Sequence, residues 1–302
     1  MTIDNGILQE IKNTIGSANV RENEQMSQHL TMRVGGPARY FLTPSMDTQV
    51  AYLIKLFNEN DIRYYVMGNG SNIIVKDSGY DGVIIQLLEN FSGAAVAGTT
   101  VTAKAGVRLK TLADVIMNEE LTGFEFASGI PGTLGGAVTM NAGAYGGEMK
   151  DVIKTVRLVD RQGNIIAKTA DEMDFAYRHS ICSSGEYVVL GAEIELKKGK
   201  YDDIKALTDE LNAKRRDKQP LEYPSCGSTF KRPEGYFAGK LIMDSGLAGA
   251  SVGGASVSRK HCGFIINDGN ATAADVLGLI EQVQSIVKEK QGVDLECEVK
   301  II

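Results

Sequence analysis

A run of apolar residues approaching the roughly 18 needed to span a membrane is missing from this chain of 302 residues. Its first residues, MTIDNGILQEIKNTIG, hold no basic segment followed by an apolar one, which argues against a secretory leader and points to a cytoplasmic protein. Cysteine is scarce: Cys182, Cys226, Cys262 and Cys297 lie far apart, with no C-x-x-C pair and no Cys/His cluster. That excludes a zinc module and fits a reducing compartment. There is no excess of positive charge either. The net charge is −6 and the pI about 5.3, so no basic field exists to hold nucleic acid or an anionic membrane. Two phosphate motifs are also missing. No G-x-x-x-x-G-K-[ST] is present, which excludes a P-loop hydrolase. GNGSNI (68–73) has the first two glycines of G-x-G-x-x-G, but isoleucine replaces the third and the run leads into a strand, which argues against a Rossmann site.

What is abundant is glycine. Residues 129–147 read GIPGTLGGAVTMNAGAYGG, seven glycines in nineteen positions with no charged side chain. Glycine in a helix or strand costs roughly 0.5–1 kcal/mol relative to alanine, so such a cluster needs a return: tight turns, or backbone N–H groups brought close to a ligand such as a phosphate. With 68–72, this stretch could close on a diphosphate from two sides; a pair of plain β-turns is the other reading.

At 43% apolar residues the chain can bury real cores, and its length implies two domains, with three possible. Val50, Leu53, Ile54 and Phe57 follow helical spacing. LKTLADVIMNEEL (109–121) predicts a second helix, and 201–219 a strongly polar third. The spacing of Val276, Leu279, Ile280, Val283, Ile286 and Val287 predicts a long one over 273–291, opened by a capping box of Thr272 and Asp275. Strands are predicted over 63–68, 73–77, 82–87, 99–106, 151–160, 164–170 and 186–196, and LECEVKII reads as a closing strand by its alternation. The prolines of QPLEYPSCGS mark a connection, which places a domain boundary inside 198–222.

TMRVGGPA (31–38), GNGSNIIVKD (68–77), GIPGTLGGAVTMNAGAYGGE (129–148), YRHS (177–180), CGSTFKRP (226–233) and the E-V-K of LECEVKII occur in an order that resembles the UDP-N-acetylenolpyruvoylglucosamine reductase (MurB) family, from about residue 28 to the end. The resemblance implies an α+β protein: a two-subdomain FAD-binding unit of the vanillyl-alcohol-oxidase/PCMH type, followed by a C-terminal α+β substrate domain. It divides the chain into an N-terminal helical segment (1–27), an FAD-binding region (28–200, with subdomains of about 28–87 and 88–200) and a substrate domain (201–302). Only 50 positions separate Arg178 from Ser228, which resembles the family's shorter class, lacking an inserted tyrosine loop.

The activity so implied is NADPH-dependent reduction of the enolpyruvyl ether of UDP-N-acetylglucosamine to UDP-N-acetylmuramate through non-covalent FAD, a step of bacterial peptidoglycan precursor synthesis, by a monomer. NADPH reduces the flavin, which delivers hydride to C3 of the enolpyruvyl group. Negative charge then builds toward C2 and the carboxylate, so a proton donor and groups at the carboxylate are needed. Matched motif by motif, the donor is Ser228, and Arg178 and Glu298 serve the carboxylate. Each alone has a plainer reading: a cap or turn serine, a surface ion pair, a solvated residue of an edge strand. YRHS, if extended, turns His179 away from Arg178. Cofactor contacts carry over to Gly68, Asn69, Gly70, Ser71, Asn72, Gly129, Pro131, Gly132, Gly135, Gly136, Ala137, Asn141, Gly143 and Ala144. Substrate contacts carry over to Lys218, Arg232 and Tyr236. Many members of the family have asparagine where this chain has Arg232, and the charge run holding Lys218 could equally be a solvated helix end. Nothing near Cys226 would activate it as a nucleophile. An alcohol-oxidising flavoenzyme of the same fold and a non-catalytic nucleotide-binding module are the competing readings.

Overall fold

The computed structural model describes residues 3–302. The chain forms two compact units, each built from three segments. The first comprises the chain up to Glu22, Tyr40–Asn69 and Gly82–Lys214; the second comprises Asn23–Arg39, Gly70–Asp81 and Arg215–Ile302.

The first unit carries helices α1 (Asn5–Ile15), α2 (Asp47–Glu59), α3 (Leu109–Asn118) and α4 (Leu134–Thr139). Helix α5 (Tyr201–Lys218) begins in this unit and ends in the second. All four residues whose spacing predicts α2 are buried. Helix α3 stops short of the expected residue 121, because Glu120 takes a left-handed backbone (φ 54°) that an α-helix cannot continue.

Its larger sheet is antiparallel with five strands, in the order Ile165–Thr169, Ile153–Asp160, Tyr187–Glu195, Thr100–Lys104 and Ala94–Ala97. A four-stranded sheet orders Val20–Gln25, Pro37–Leu42, Tyr80–Gln86 and Tyr64–Met67, the last two parallel. One apolar core joins these elements, with Phe57, Phe91, Phe124, Leu134 and Val138 fully enclosed. Burial of such side chains, about 25 cal/mol per Å² of apolar surface, is what holds the glycine-rich segment 129–147 against the sheet through Leu134, Ala137 and Val138.

The second unit has helices α6 (Ala238–Asp244) and α7 (Ala273–Gln291). An antiparallel sheet orders Ser225–Ser228, Phe264–Asn267, Ala255–Val257 and Ser251–Val252. Its core gathers Val276, Leu279, Ile280, Val283 and Val287 of α7 with Met32, Val34 and Ile74, so the two early segments are integral to it. The expected capping box is present, Asp275 N–H donating to Thr272 Oγ1 at 3.1 Å and Thr272 N–H to Asp275 Oδ2 at 2.9 Å. A second cap comes from far away in sequence: both oxygens of Asp77 accept, from the N–H groups of Ala273 and Ala274, each at 2.8 Å. Helix N-termini leave such donors without intrahelical partners, and a carboxylate there also meets a favourable dipole.

The closing segment is not one continuous strand. Cys297 bridges to Phe230, and only Lys300–Ile301 forms a ladder, parallel to Ile73–Ile74. Leu295 and Val299 are buried while Glu296 and Lys300 are exposed, but Cys297 and Glu298 are both half-buried and Ile301 is exposed, so the alternation is only partial where the pairing partner changes.

Candidate active site

Four of the quoted motifs meet inside the second unit through hydrogen bonds. Thr31 of TMRVGG donates its hydroxyl to the Ser225 carbonyl at 2.6 Å and its N–H to the Gly70 carbonyl at 3.2 Å. Asn72 of GNGSN donates Nδ2 to the Glu298 carbonyl at 3.2 Å, and its own carbonyl accepts from Lys300 N–H at 3.0 Å. The Glu298 N–H donates to the Thr229 carbonyl at 2.8 Å, which sets Glu298 beside the CGST strand. Thr229 itself is buried, and its hydroxyl accepts from Ile265 N–H at 3.2 Å.

Ser228 stands at an irregularity in its strand. Ser225 pairs with Ile266 and Ser228 with Phe264, so the CGS strand carries one residue more than its partner. Gly227 in that bulge has φ 74°, the left-handed conformation that glycine adopts without a Cβ penalty. A bulge of this kind re-aims the next side chain, here the hydroxyl of Ser228. Ser228 is therefore a strand residue displaced by a bulge and neither a helix cap nor a simple turn.

Lys218 is the exposed last residue of α5. Arg232 and Tyr236 touch: Arg232 Nε donates to the Tyr236 carbonyl at 3.2 Å, and the guanidinium lies 3.9 Å from the centre of the Phe237 ring. Such a cation over an aromatic face is favourable by about 0.5–1 kcal/mol at exposed positions. Tyr236 and Phe237 are both at least half exposed, so the group presents a cation stacked on one aromatic ring, with a second aromatic residue next to it in the chain. Phe237 escapes a reading of the sequence, whose only sign of it is an aromatic pair after the Pro-Glu-Gly turn.

The remaining candidates belong to the first unit, except Ser71, which lies between Gly70 and Asn72 in the second. Asn69 donates Nδ2 to the Pro131 carbonyl at 2.8 Å, joining the two glycine segments, and its Oδ1 accepts from Arg108 at 2.6 Å. Arg108 also binds Glu89 at 2.6 Å; burial, the largest single influence, would raise the Glu89 carboxyl, but the hydrogen bond from Arg108, a backbone hydrogen bond and the charge of Arg108 together outweigh it and hold that group below its ordinary value. The glycines of α4 divide into two kinds. A Cβ on Gly135 would lie 2.8 Å from the Ala105 Cβ, so that glycine serves packing. A Cβ on Gly136 would meet no protein atom nearer than Thr133 Oγ1 at 3.8 Å. Gly143 serves the small hairpin of Gly143–Ala144 with Gly147–Glu148, where a Cβ would lie 2.6 Å from the Gly147 carbonyl oxygen. Gly136, like Gly146 further along the segment, thus has a bare backbone facing open space, and a segment without charged side chains that leaves such space fits a flavin dinucleotide held by backbone donors.

YRHS is not extended. Ala176 and His179 exchange both backbone hydrogen bonds, each 3.1 Å, and close a tight turn with Arg178 at its tip in the left-handed region, φ 53°. The Arg178 guanidinium lies 5.1 Å from the centre of the Tyr177 ring. Among the described residues there is no cluster of metal ligands and no helix long and apolar enough to cross a membrane.

Residues 38–168 match the FAD binding domain family model, and residues 219–302 match the model of the UDP-N-acetylenolpyruvoylglucosamine reductase C-terminal domain. The UDP-N-acetylenolpyruvoylglucosamine reductase of Clostridioides difficile is 51% identical over 290 residues, covering 96% of this chain and 95% of its own. That of Lachnoclostridium phytofermentans is 51% identical over 304 residues, covering 99% and 98%. The crystal structure of UDP-N-acetylenolpyruvylglucosamine reductase (MurB) from Thermus caldophilus superposes with a TM-score of 0.80 at 33% identity, covering 93% of this chain and 97% of that one. Berberine bridge enzyme shares the fold alone, with a TM-score of 0.52 at 15% identity over 67% of this chain and 45% of its own. The expected α+β architecture, a PCMH-type FAD-binding region with a C-terminal domain, is the one present. With half of its residues shared across nearly the full length of these relatives, the chain belongs to the UDP-N-acetylenolpyruvoylglucosamine reductase family of FAD-dependent enzymes.

Proposed function

We propose that this enzyme reduces the enolpyruvyl ether of UDP-N-acetylglucosamine to UDP-N-acetylmuramate with NADPH as reductant, in the cytoplasm, as a step of peptidoglycan precursor synthesis. The observation that carries the reading is the bulge at Gly227, which re-aims Ser228 on a strand whose next residue, Thr229, pairs with Glu298. Bound FAD supplies the hydride, which NADPH restores. The protein's own residues manage charge and one proton. Ser228 gives a proton to C2 as negative charge develops there; a serine hydroxyl suffices for so strong a base once it is held in place. Arg178 and Glu298 serve the substrate carboxylate, where charge spreads from C2, and a fixed cation is worth more there than in water. Lys218, Arg232 and Tyr236 take the nucleotide diphosphate and its uridine side, Arg232 being prepositioned against Phe237. The backbone of 68–72 and 129–144 holds the FAD pyrophosphate without lysines, as an acidic protein requires.

The test is turnover. Purified protein should absorb visible light through bound flavin, and its NADPH oxidation should depend on the enolpyruvyl nucleotide and yield UDP-N-acetylmuramate. Colourless protein, or flavoprotein that consumes an alcohol and O₂ and ignores the enolpyruvyl nucleotide, would overturn the reading.

A further inference from the structure

Arg178 occupies a backbone conformation that costs an L-residue about 1–2 kcal/mol. A non-glycine residue keeps such a conformation only where its surroundings over-determine it. Two anchors do so. On one side, Ser180 Oγ donates to the Thr139 carbonyl at 2.8 Å. On the other, Asn141 Nδ2 donates to the Ala176 carbonyl at 3.1 Å, the same oxygen that accepts from His179 N–H inside the turn.

Asn141 is itself immobilised. It is buried, with 1% of its surface exposed, and its backbone is left-handed at φ 41°. Its Oδ1 accepts from Lys150 N–H at 2.9 Å, and its Nδ2 donates to Glu148 Oε2 at 2.6 Å as well as to Ala176. The partners determine the amide's orientation: a backbone N–H can only face the oxygen, and a carboxylate and a carbonyl can only face the NH₂ group. Both hydrogens and the acceptor oxygen are therefore spoken for. A side chain so committed is a rigid link between the end of the glycine-rich segment and the turn that displays Arg178.

We infer that Asn141 is a positioning residue for Arg178: its carboxamide holds the 176–179 turn in the strained form that presents the guanidinium to the substrate carboxylate. The inference rests on the carboxylate role of Arg178 proposed above. A misplacement of about 1 Å can cost on the order of 10²-fold in rate, so loss of the link is felt in the step that uses the arginine and not in the step that does not. An asparagine that merely stabilised the Gly143–Glu148 hairpin would not discriminate between the two steps.

The experiment is a double-mutant cycle on the flavin-loaded enzyme, followed by stopped-flow flavin absorbance. Measured per bound flavin, N141A should slow reoxidation by the enolpyruvyl nucleotide by about 10–100-fold more than it slows reduction by NADPH. In the R178A background the same change should slow reoxidation by no more than ~2-fold, because the group it positions is gone. Equal slowing of both half-reactions, or full multiplicative losses in the double variant, would overturn the inference while leaving the role of Arg178 intact. An R178A enzyme that reoxidises at the wild-type rate would overturn the role of Arg178 and this inference with it. Where N141A does not accumulate as folded protein, S180A carries the test, since it removes one hydroxyl from the other anchor of the turn. It should show the same selective slowing, absorbed by R178A, and additive behaviour would count against the inference equally.

Discussion

Asn72 holds the chain on both sides of Val299, beside Glu298: its side chain donates to the Glu298 carbonyl at 3.2 Å, and its own carbonyl accepts from Lys300 N–H at 3.0 Å. The glycine turn that ends in Asn72 thus clamps the backbone of the proposed carboxylate-side residue. N72A should remove the side-chain half of that clamp and leave the backbone half. A hydrogen bond of this kind contributes about 0.5–1.5 kcal/mol, so the variant should fold, and its loss of activity should appear in reoxidation by the enolpyruvyl nucleotide more than in reduction by NADPH. Loss of flavin with normal activity per flavin bound would show that the side chain serves the cofactor alone.

The two neighbouring glycines of α4 predict different failures. Gly135→Val forces a side chain into Ala105 and should destabilise the protein by about 1–3 kcal/mol even without flavin, as overpacking does. Gly136→Val meets open space, and valine is a slightly better helix former than glycine, so the apoprotein's melting temperature should be unchanged or slightly higher. Its flavin content should fall sharply. Full flavin content in Gly136→Val would remove this position from the cofactor cradle.

How much of this was legible in the sequence depends on how local each feature is. Helices α2 and α7 could be read because their apolar residues repeat at helical spacing, and the Thr272/Asp275 cap because its two members stand only three positions apart. The second cap on α7 could not, since Asp77 lies 196 positions before Ala273 and nothing around it announces a helix. The same holds for the composition of the second unit: Thr31 reaches Ser225 and Asn267 reaches Met32 across some two hundred residues, contacts that leave no periodicity in either segment. At the site, the residue types could be matched to a motif, but their presentation could not. Nothing in CGST distinguishes a regular strand from a bulge at Gly227, and an arginine with positive φ has no local signature, so the turn at YRHS could not be read.

Cys226 lies two residues from Ser228, yet it is chemically silent. Burial pushes its thiol up to about 12, and the Sγ contact with the Ile73 carbonyl at 3.4 Å does not offset this. Alkylating reagents should label it only after unfolding. The shift has a sign for stability as well. The unfolded thiol loses its proton from about pH 8.5 upward while the folded one keeps it, so the unfolded state binds fewer protons and folding stability falls as pH rises toward the folded value. Unfolding free energies from urea titrations between about pH 8 and about pH 10.5 should therefore drop further for wild type than for Cys226→Ala, by on the order of 1 kcal/mol per pH unit. Parallel curves for the two proteins would show that the buried thiol is not linked to folding.

Ser228 separates the two half-reactions most sharply. Reduction by NADPH needs no proton at a substrate carbon, so Ser228→Ala should keep its flavin and bleach with NADPH at close to the wild-type rate. Reoxidation by the enolpyruvyl nucleotide must protonate C2, and loss of a positioned acid typically costs about 10²–10⁴-fold. Ser228→Cys should recover part of that loss, because a thiol also donates. The bulge adds a control within the same strand. Gly227→Ala retains the hydroxyl but adds a Cβ that meets no neighbour within 4 Å, so its penalty is conformational, about 1–2 kcal/mol for a left-handed L-residue. If the bulge aims Ser228, Gly227→Ala should also slow reoxidation selectively, less than Ser228→Ala does. The double variant should then be no slower than Ser228→Ala alone. Stopped-flow absorbance resolves both steps, and equal slowing of reduction and reoxidation in Ser228→Ala, or of neither, would remove the serine from the role of proton donor.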